Sequence, residues 1–322
     1  MAGANTLIEA SGLACHYGDT HAVDGVDLEV RQGDVLGLLG PNGAGKSSTL
    51  GMICGTLAPT AGRVRIAGVD LIESPRRAKR ALGYLPEEPP LYPEMSVAEY
   101  LHFCAGLRGL RGSARHRALD AAIERCSLGE MRHRVIARLS KGYRQRTGVA
   151  QAILHAPAAI VLDEPTVGLD PIQVREIRDL IAGLATEHAV ILSTHILPEV
   201  QAVCSHVHIM HRGRIAWRDT LNTPTAARAS GAVRVALTGD VALPHDLPGV
   251  TAVETLGSGR YRLELETAPE PVPRLAAALV EAGCGLLELV PETRSLEQVF
   301  VEVTATDVTA TEEAAASQGQ AA

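Results

Sequence analysis

The segment Val35-Leu36-Gly37-Leu38-Leu39-Gly40-Pro41-Asn42-Gly43-Ala44-Gly45-Lys46-Ser47 joins a short apolar run to a glycine-rich loop. From Gly40 to Ser47 the loop fits the pattern G-x-x-x-x-G-K-[ST] at every fixed position. Glycines let such a loop wrap so that its N–H groups point inward at phosphate oxygens, and a helix that starts near Gly45 adds its positive end. A plain glycine-rich turn does not need the Lys-Ser pair. The segment therefore predicts a phosphate-binding loop between a buried strand and a helix.

The loop also indicates the kind of ligand. Lys46 is expected to bridge the outer phosphates of a nucleotide, and the hydroxyl of Ser47 to bind Mg²⁺. We expect the nucleotide contacts of this segment to come from Gly40, Pro41, Asn42, Gly43, Ala44, Gly45, Lys46, Ser47 and Ser48.

Two acids end a second apolar run. Ala159-Ile160-Val161-Leu162 is followed by Asp163 and Glu164. Ligands gather at the carboxyl ends of parallel strands, so Asp163 is expected to hold Mg²⁺ and Glu164 to polarise the attacking water. One helix-and-strand unit later, His195 ends the run Val190-Ile191-Leu192-Ser193-Thr194. Neighbouring strands would present Glu164 and His195 to one phosphate, and we predict that both are catalytic.

The order of elements predicts an α/β domain over residues 1–221 with a helical subdomain over about 88–157. Composition changes to Thr, Ala, Pro and Arg over 222–231, which we interpret as a linker. Residues 232–304 alternate like half-buried strands around a helix marked by Leu275, Leu279 and Val280, which predicts a small α+β, ferredoxin-like domain. Residues 305–322 have no apolar pattern and are expected to be disordered.

Composition limits the function. The 322-residue chain has a net charge of −7 and only 3% aromatic residues, which argues against nucleic-acid binding. Its six scattered cysteines are expected to be buried free thiols rather than zinc ligands. Neither a signal peptide nor an apolar run long enough to span a bilayer is apparent, so a cytoplasmic location is expected.

Further motifs identify a family. Leu139-Ser140-Lys141-Gly142-Tyr143-Arg144-Gln145-Arg146 resembles the signature of the ABC ATPases, usually written L-S-G-G-Q. The other motifs of that family follow in order. Tyr17 matches the adenine-stacking aromatic residue, Gly40–Ser47 the Walker A loop, Asp163-Glu164 the Walker B pair, Gly168-Leu169-Asp170 the D-loop and His195 the switch histidine.

This resemblance implies a P-loop NTPase fold, ATP and Mg²⁺ as ligands, and a head-to-tail homodimer with ATP between the Walker A loop of one copy and the signature of the other. A helix that begins at the signature adds a second anion site. The residues that would contact ATP from the second copy are Ser140, Lys141, Gly142, Tyr143 and Asp170.

Departures from the family pattern indicate a subgroup. Glu87 follows Tyr84-Leu85-Pro86 where the family usually has Gln, and it is expected to bind the metal through oxygen. Glu87, Lys141 and Tyr143 in these motifs, and the segment Ser295–Phe300, are similar to those of the ABC-2 exporters. The similarity is greatest to the gliding-motility-associated ATP-binding proteins. The implied partner is an ABC-2-type membrane permease, which would place the chain on the cytoplasmic face of the membrane. Residues 89–111 are expected to face that permease.

Two alternatives remain at this stage. A soluble ABC ATPase acting on DNA or ribosomes would need a long coiled coil after the phosphate loop or a second phosphate loop, and the sequence has neither. A regulator that binds ATP without hydrolysing it would not need Glu164 and His195.

Overall fold

The computed structural model describes residues 5–221, 229–238, 243–244, 247–265, 271–293 and 295–304. They divide into two compact units, one reaching Leu221 and one within Asn222–Glu302. The predicted tail over 305–322, and residues 222–228 of the predicted linker, lie outside the described residues. The second unit begins earlier than expected, because residues 229–231 already belong to a strand.

The first unit contains ten strands and seven α-helices in its described residues. In chain order they are β1 (Thr6–Tyr17), β2 (Thr20–Arg31), β3 (Val35–Leu39), α1 (Lys46–Cys54), β4 (Ala61–Ile66), β5 (Val69–Asp70), α2 (Pro75–Arg80), β6 (Leu82–Leu85), α3 (Val97–Leu107), α4 (Gly112–Arg125), α5 (Lys141–Ile153), β7 (Ala159–Asp163), α6 (Pro171–Ala185), β8 (Ala189–Thr194), α7 (Leu197–Val203), β9 (His206–His211) and β10 (Arg214–Thr220). Short 3₁₀ helices over Gly129–Met131 and Ile136–Arg138 precede α5.

A six-stranded sheet in the order β10-β9-β3-β8-β7-β6 carries the candidate site. Its strands run parallel except β10, which pairs antiparallel with β9. Every residue of β3, β7 and β8 is buried, which explains their continuous apolar sequences. The carboxyl ends of these three predicted strands therefore lie side by side.

A second, antiparallel sheet in the order β2-β1-β4-β5 was not predicted from the sequence. Apolar residues of β1 and β2, such as Ile8, Val26 and Val30, are buried in one core with Leu36 and Leu38 of β3. This shared core holds the β1–β2 hairpin next to the strands that carry the site.

Polar side chains cap the starts of several helices. The Oδ1 of Asp170 accepts hydrogen bonds from the N–H groups of Ile172 and Gln173, at 3.0 and 2.9 Å, so Asp170 is the N-cap of α6. Pro171 is the first helical residue, a position that proline favours. In the helical region, Ser96 and Glu99 form a reciprocal capping box at the start of α3.

The second unit consists of β11 (Ala229–Leu237), β12 (Val250–Gly257), β13 (Arg260–Leu265), α8 (Pro271–Glu281), β14 (Leu286–Thr293) and a helix over 296–304. The sheet order is β12-β13-β11-β14 and every pairing is antiparallel. Leu275, Leu279 and Val280 all lie in α8, the helix that they were expected to mark. Leu275 and Leu279 are buried against this sheet, whereas Val280 is 62% exposed because it follows Leu279 directly and so points to another side of the helix.

Two further expectations from the sequence, on the cysteines and on membrane-spanning segments, can be compared with the described residues. All six cysteines are buried and free. None of the helices in the described ranges combines the length and the apolar character needed to cross a membrane.

We predict opposite effects of two Gly→Ala substitutions. A Cβ at Gly83 of β6 would lie 2.3 Å from the carbonyl oxygen of Ala152, whereas a Cβ at Gly183 of α6 meets nothing within 4 Å. Gly83→Ala should lower the free energy of unfolding by about 1–3 kcal/mol through overpacking. Gly183→Ala should leave it unchanged or raise it by up to about 1 kcal/mol, because alanine favours helix. Chemical denaturation of both variants measures this, and equal effects would contradict the packing of α5 on β6.

Candidate active site

The glycine-rich loop between β3 and α1 fits tightly against two other strands. A Cβ at Gly40 would lie 2.4 Å from the carbonyl oxygen of Met210, and one at Gly45 would lie 2.4 Å from that of Ala22. Gly45 also has φ 101°, a conformation that favours glycine, and it caps α1. The loop therefore keeps its wrapped shape because β2 and β9 leave room only for glycine.

Lys46 is the first residue of α1, and its side chain is only 6% exposed. Its Nζ donates hydrogen bonds to the carbonyl oxygens of Gly40 and Pro41 at 2.8 and 3.3 Å. It also lies 3.5 Å from the Oε1 of Glu164. The ammonium group is thus held inside the loop and faces the carboxylate that follows β7.

Glu164 is fixed from two sides. Its N–H points at the carbonyl oxygen and hydroxyl of Ser193, each 3.2 Å away, and its Oε2 lies 2.9 Å from the Nδ1 of His195. Its φ of 46° is unusual for a residue other than glycine. Such strain persists only where surrounding contacts impose it, and here Ser193 and His195 of the neighbouring strand end do so.

Asp163 lies one residue earlier, at the end of β7, and is buried. Burial raises the pKa of its carboxyl group, and the nearby Glu164 adds to this rise. Hydrogen bonds from the hydroxyls of Ser193 and Ser47, together with the charge of Lys46, act in the opposite direction. The Asp163 carboxylate therefore lies beneath the phosphate loop, within hydrogen-bonding distance of the Ser47 hydroxyl, which is expected to bind Mg²⁺.

A cavity of about 520 Å³ opens over these groups. Its lining contains Asn42, Gly43, Gly45, Lys46, Ser47, Ser48, Glu87, Glu164 and His195, with Ala22 and Val167. Nine of the residues predicted from the sequence thus meet around one cavity. Gly40, Pro41 and Ala44 belong to the same loop but do not line it, and Asp163 is buried below it.

Tyr17 ends β1 and is 56% exposed, so its ring face is open to a ligand. It does not line the cavity.

The signature residues lie elsewhere in this chain. Ser140 caps α5, where its Oγ accepts a hydrogen bond from the N–H of Tyr143 at 3.4 Å. Gly142 is buried against Gln173 of α6, and the Lys141 ammonium lies beside Gly168. None of residues 140–143 is among the described residues that line the Lys46 cavity. Lys141 instead lines a second cavity of about 410 Å³, which shares Glu87 and Val167 with the first.

Sequence reasoning missed one buried acid. Glu199 of α7 is only 2% exposed, and its carboxylate accepts hydrogen bonds from the hydroxyls of Thr166 and Thr194, the latter at 2.7 Å. Thr166 follows Glu164 by two residues, and Thr194 directly precedes His195. Glu199 therefore ties together the two loops that carry the catalytic candidates. An acid in a short helix gives no sequence signal for such a role, because most are solvated.

Comparisons with known proteins relate the chain to one family. The family model described as ABC transporter matches residues 23–167. The bacitracin transport ATP-binding protein BcrA of Bacillus licheniformis is 36% identical over 213 residues, which cover 66% of this chain and 69% of BcrA. The uncharacterized ABC transporter ATP-binding protein YdbJ of Bacillus subtilis is 32% identical over 310 residues, 94% of this chain and 96% of YdbJ.

A solved structure of the ATP-binding subunit of an ABC transporter superimposes with a TM-score of 0.61 and 31% sequence identity. The match covers 67% of this chain and 90% of that chain.

We predict that Asp163→Asn stabilises the fold. Burial disfavours the charged carboxylate, so removing the charge should raise the free energy of unfolding at about pH 7 by roughly 0.5–2 kcal/mol. Because the pKa is raised in the folded state, the folded wild type takes up its proton at a higher pH than the unfolded chain, and this gain should shrink as the pH falls from that raised pKa to the ordinary carboxyl value.

Chemical denaturation across pH tests this prediction, with Asp179→Asn on the exposed face of α6 as the matched control. A loss of stability in Asp163→Asn at neutral pH would show that hydrogen bonds and the charge of Lys46 outweigh burial.

Proposed function

Because this chain belongs to the ABC transporter family, in which it is an ATP-binding and ATP-hydrolysing subunit, we propose that it powers an exporter whose permease is a separate polypeptide. One observation carries the catalytic part of this proposal. Glu164 lies at the edge of the cavity between the Lys46 ammonium and the His195 ring, 3.5 and 2.9 Å from its two carboxylate oxygens.

Roles of the site residues follow from these positions. Glu164 accepts the proton of the attacking water, and His195, with 43% of its side chain exposed, holds that carboxylate and contacts the terminal phosphate. Lys46 exchanges its carbonyl partners for phosphate oxygens, while the loop from Gly40 to Ser48 donates its N–H groups. Tyr17 offers its open ring face to adenine.

The donor set also fits Mg²⁺. Ser47, Asp163 and Glu87 provide hydroxyl and carboxylate oxygens around the cavity, and hard oxygen donors are what this cation prefers. When bound, Mg²⁺ neutralises charge on the phosphates. A hydrogen bond from the Ser193 hydroxyl on the neighbouring strand holds the Asp163 carboxylate in position to bind the ion.

We also propose that each ATP is enclosed by two copies of the chain. In support of this, none of residues 140–143 is among the described residues that line the cavity over Lys46. The start of α5 is nevertheless a favourable site for an anion. A two-fold pair would bring Ser140, Lys141, Gly142 and Tyr143 of one copy, together with the D-loop around Asp170, to the phosphate loop of the other. Oδ1 of Asp170 already caps α6, so its role in that interface is to hold the D-loop in shape.

The transport partner and direction rest on relatives and on sequence variants. BcrA is a bacitracin transport protein, and Glu87, Lys141 and Tyr143 resemble the ABC-2 exporters, the gliding-motility-associated proteins above all. An ABC-2-type permease is thus the proposed partner, and the cytoplasmic face of the membrane the proposed location. Residues 89–111 of the helical region are proposed to supply the surface for the permease.

The second unit is proposed to be a ferredoxin-like accessory domain. The antiparallel order β12-β13-β11-β14, with α8 packed on one face, supports this assignment. We place the ATPase domain at 1–221 and the accessory domain at 229–304, with the segment between them as a linker.

Glu164→Gln tests the proposed base. The amide keeps the size of the side chain but cannot accept the proton, so ATP turnover should fall by about 10²–10⁴-fold while ATP binding is kept. Glu124→Gln on the exposed face of α4 is the matched control and should leave turnover unchanged. Comparable turnover in wild type and Glu164→Gln would remove Glu164 from the mechanism.

Glu87→Gln tests whether Glu87 acts only as an oxygen ligand. The amide oxygen replaces the carboxylate oxygen, so ATPase activity should stay within about tenfold, a barrier change of roughly 1.4 kcal/mol. Steady-state kinetics at several Mg²⁺ concentrations measure this. A loss of several orders of magnitude would show that Glu87 has a chemical role of its own.

A further inference from the structure

The end of the β1–β2 hairpin brings two histidines and one aspartate together. His16 and His21 are cross-strand partners, and their rings stack with centroids 4.0 Å apart. Asp24 lies three residues further along β2. One ligand atom from each of the three side chains lies within 4.8 Å of the other two.

A β-bulge explains why these side chains share one face. Cys15 pairs with Val23, but the next residue, His16, pairs with His21, so β2 contains one extra residue at Ala22. In a regular strand, residues 21 and 24 would point to opposite faces. The bulge turns Asp24 to the side of the histidines, which is a common use of bulges at sites.

The donor atoms of the cluster are open. In the described part of the chain, neither ring of His16 and His21 has a hydrogen-bond partner, so their nitrogens are available as ligands. Arg214 donates to the Oδ2 of Asp24 from Nε and Nη2, at 3.0 and 2.5 Å, and leaves Oδ1 free. This guanidinium therefore orients the carboxylate and leaves its second oxygen available as a ligand, as an outer partner of a metal ligand does.

We propose that His16, His21 and Asp24 form a binding site for a divalent cation of the zinc class. Two imidazole nitrogens and one carboxylate oxygen are donors that favour Zn²⁺ over Mg²⁺, and three protein ligands leave a position for water. The site is separate from the oxygen donors around Ser47 and Asp163.

A cation bound to His16, His21 and Asp24 would hold the β1–β2 hairpin in one conformation. Tyr17 directly follows His16, and Ala22, which lines the Lys46 cavity, directly follows His21. An ion held by both histidines ties β1 to β2 across the turn at Gly18 and Asp19. The amides of that turn should then exchange their hydrogens more slowly.

The test uses Zn²⁺ as the probe on the full chain without nucleotide or Mg²⁺. Calorimetric titration should give a one-to-one site in the wild type, and the His16→Ala/His21→Ala variant should weaken that site by more than about tenfold, the loss expected even for an outer-shell partner. Zn²⁺ should slow hydrogen exchange in residues 16–24 of the wild type but not of the His16→Ala/His21→Ala variant. His102→Ala/His116→Ala, which removes the other contacting histidine pair of the described chain, is the matched control and should bind like the wild type.

Asp24→Asn, which preserves the shape of the side chain, provides a second variant and should also weaken binding. Circular dichroism checks that each variant is folded. Unchanged Zn²⁺ affinity in the double-histidine variant, or protection confined to other segments, would overturn the proposal. Neither readout involves ATP, so the outcome is independent of the ATPase function.

Discussion

The buried contact between the Lys46 ammonium and the Glu164 carboxylate is the constraint around which the site is organised. An unpaired charge at this depth would be very costly, so both groups need partners. The carbonyl oxygens of Gly40 and Pro41 satisfy the ammonium, and His195 and Ser193 hold Glu164. These partners belong to three different segments, which can meet only if β3, β8 and β7 are neighbours in a parallel sheet.

The strained backbone and the burial of Glu164 at this edge of the sheet also bear on its proposed role. Glu164 has a left-handed backbone conformation, and Glu199 bridges the loops on either side of it through Thr166 and Thr194. These contacts hold the carboxylate in place. In the role proposed for Glu164, such preorganisation would lower the barrier because the polar groups need not reorient during the reaction.

Sequence reasoning predicted those parts of the fold whose signal is local. The strands β3, β7 and β8 are buried on both faces and so have continuous apolar sequences, and the phosphate loop needs glycine where β2 and β9 approach it. The antiparallel sheet of β1, β2, β4 and β5 was missed because the pairing of β1 with β2 is interrupted by bulges and the buried residues of β1 follow no regular alternation. Glu199 and the cluster of His16, His21 and Asp24 depend on tertiary packing and on one bulge, which leave no pattern in the sequence.

The central claim is that each catalytic site is built from two copies of the chain. The most direct measurement mixes a Lys46→Ala chain, which lacks the phosphate-loop cation, with a Ser140→Arg chain, which blocks the start of α5. Each variant alone should be inactive, but a mixed dimer contains one site with an intact loop and an intact signature, so the equimolar mixture should recover on the order of a quarter of the wild-type ATPase activity. An equimolar mixture no more active than its components would contradict the composite site.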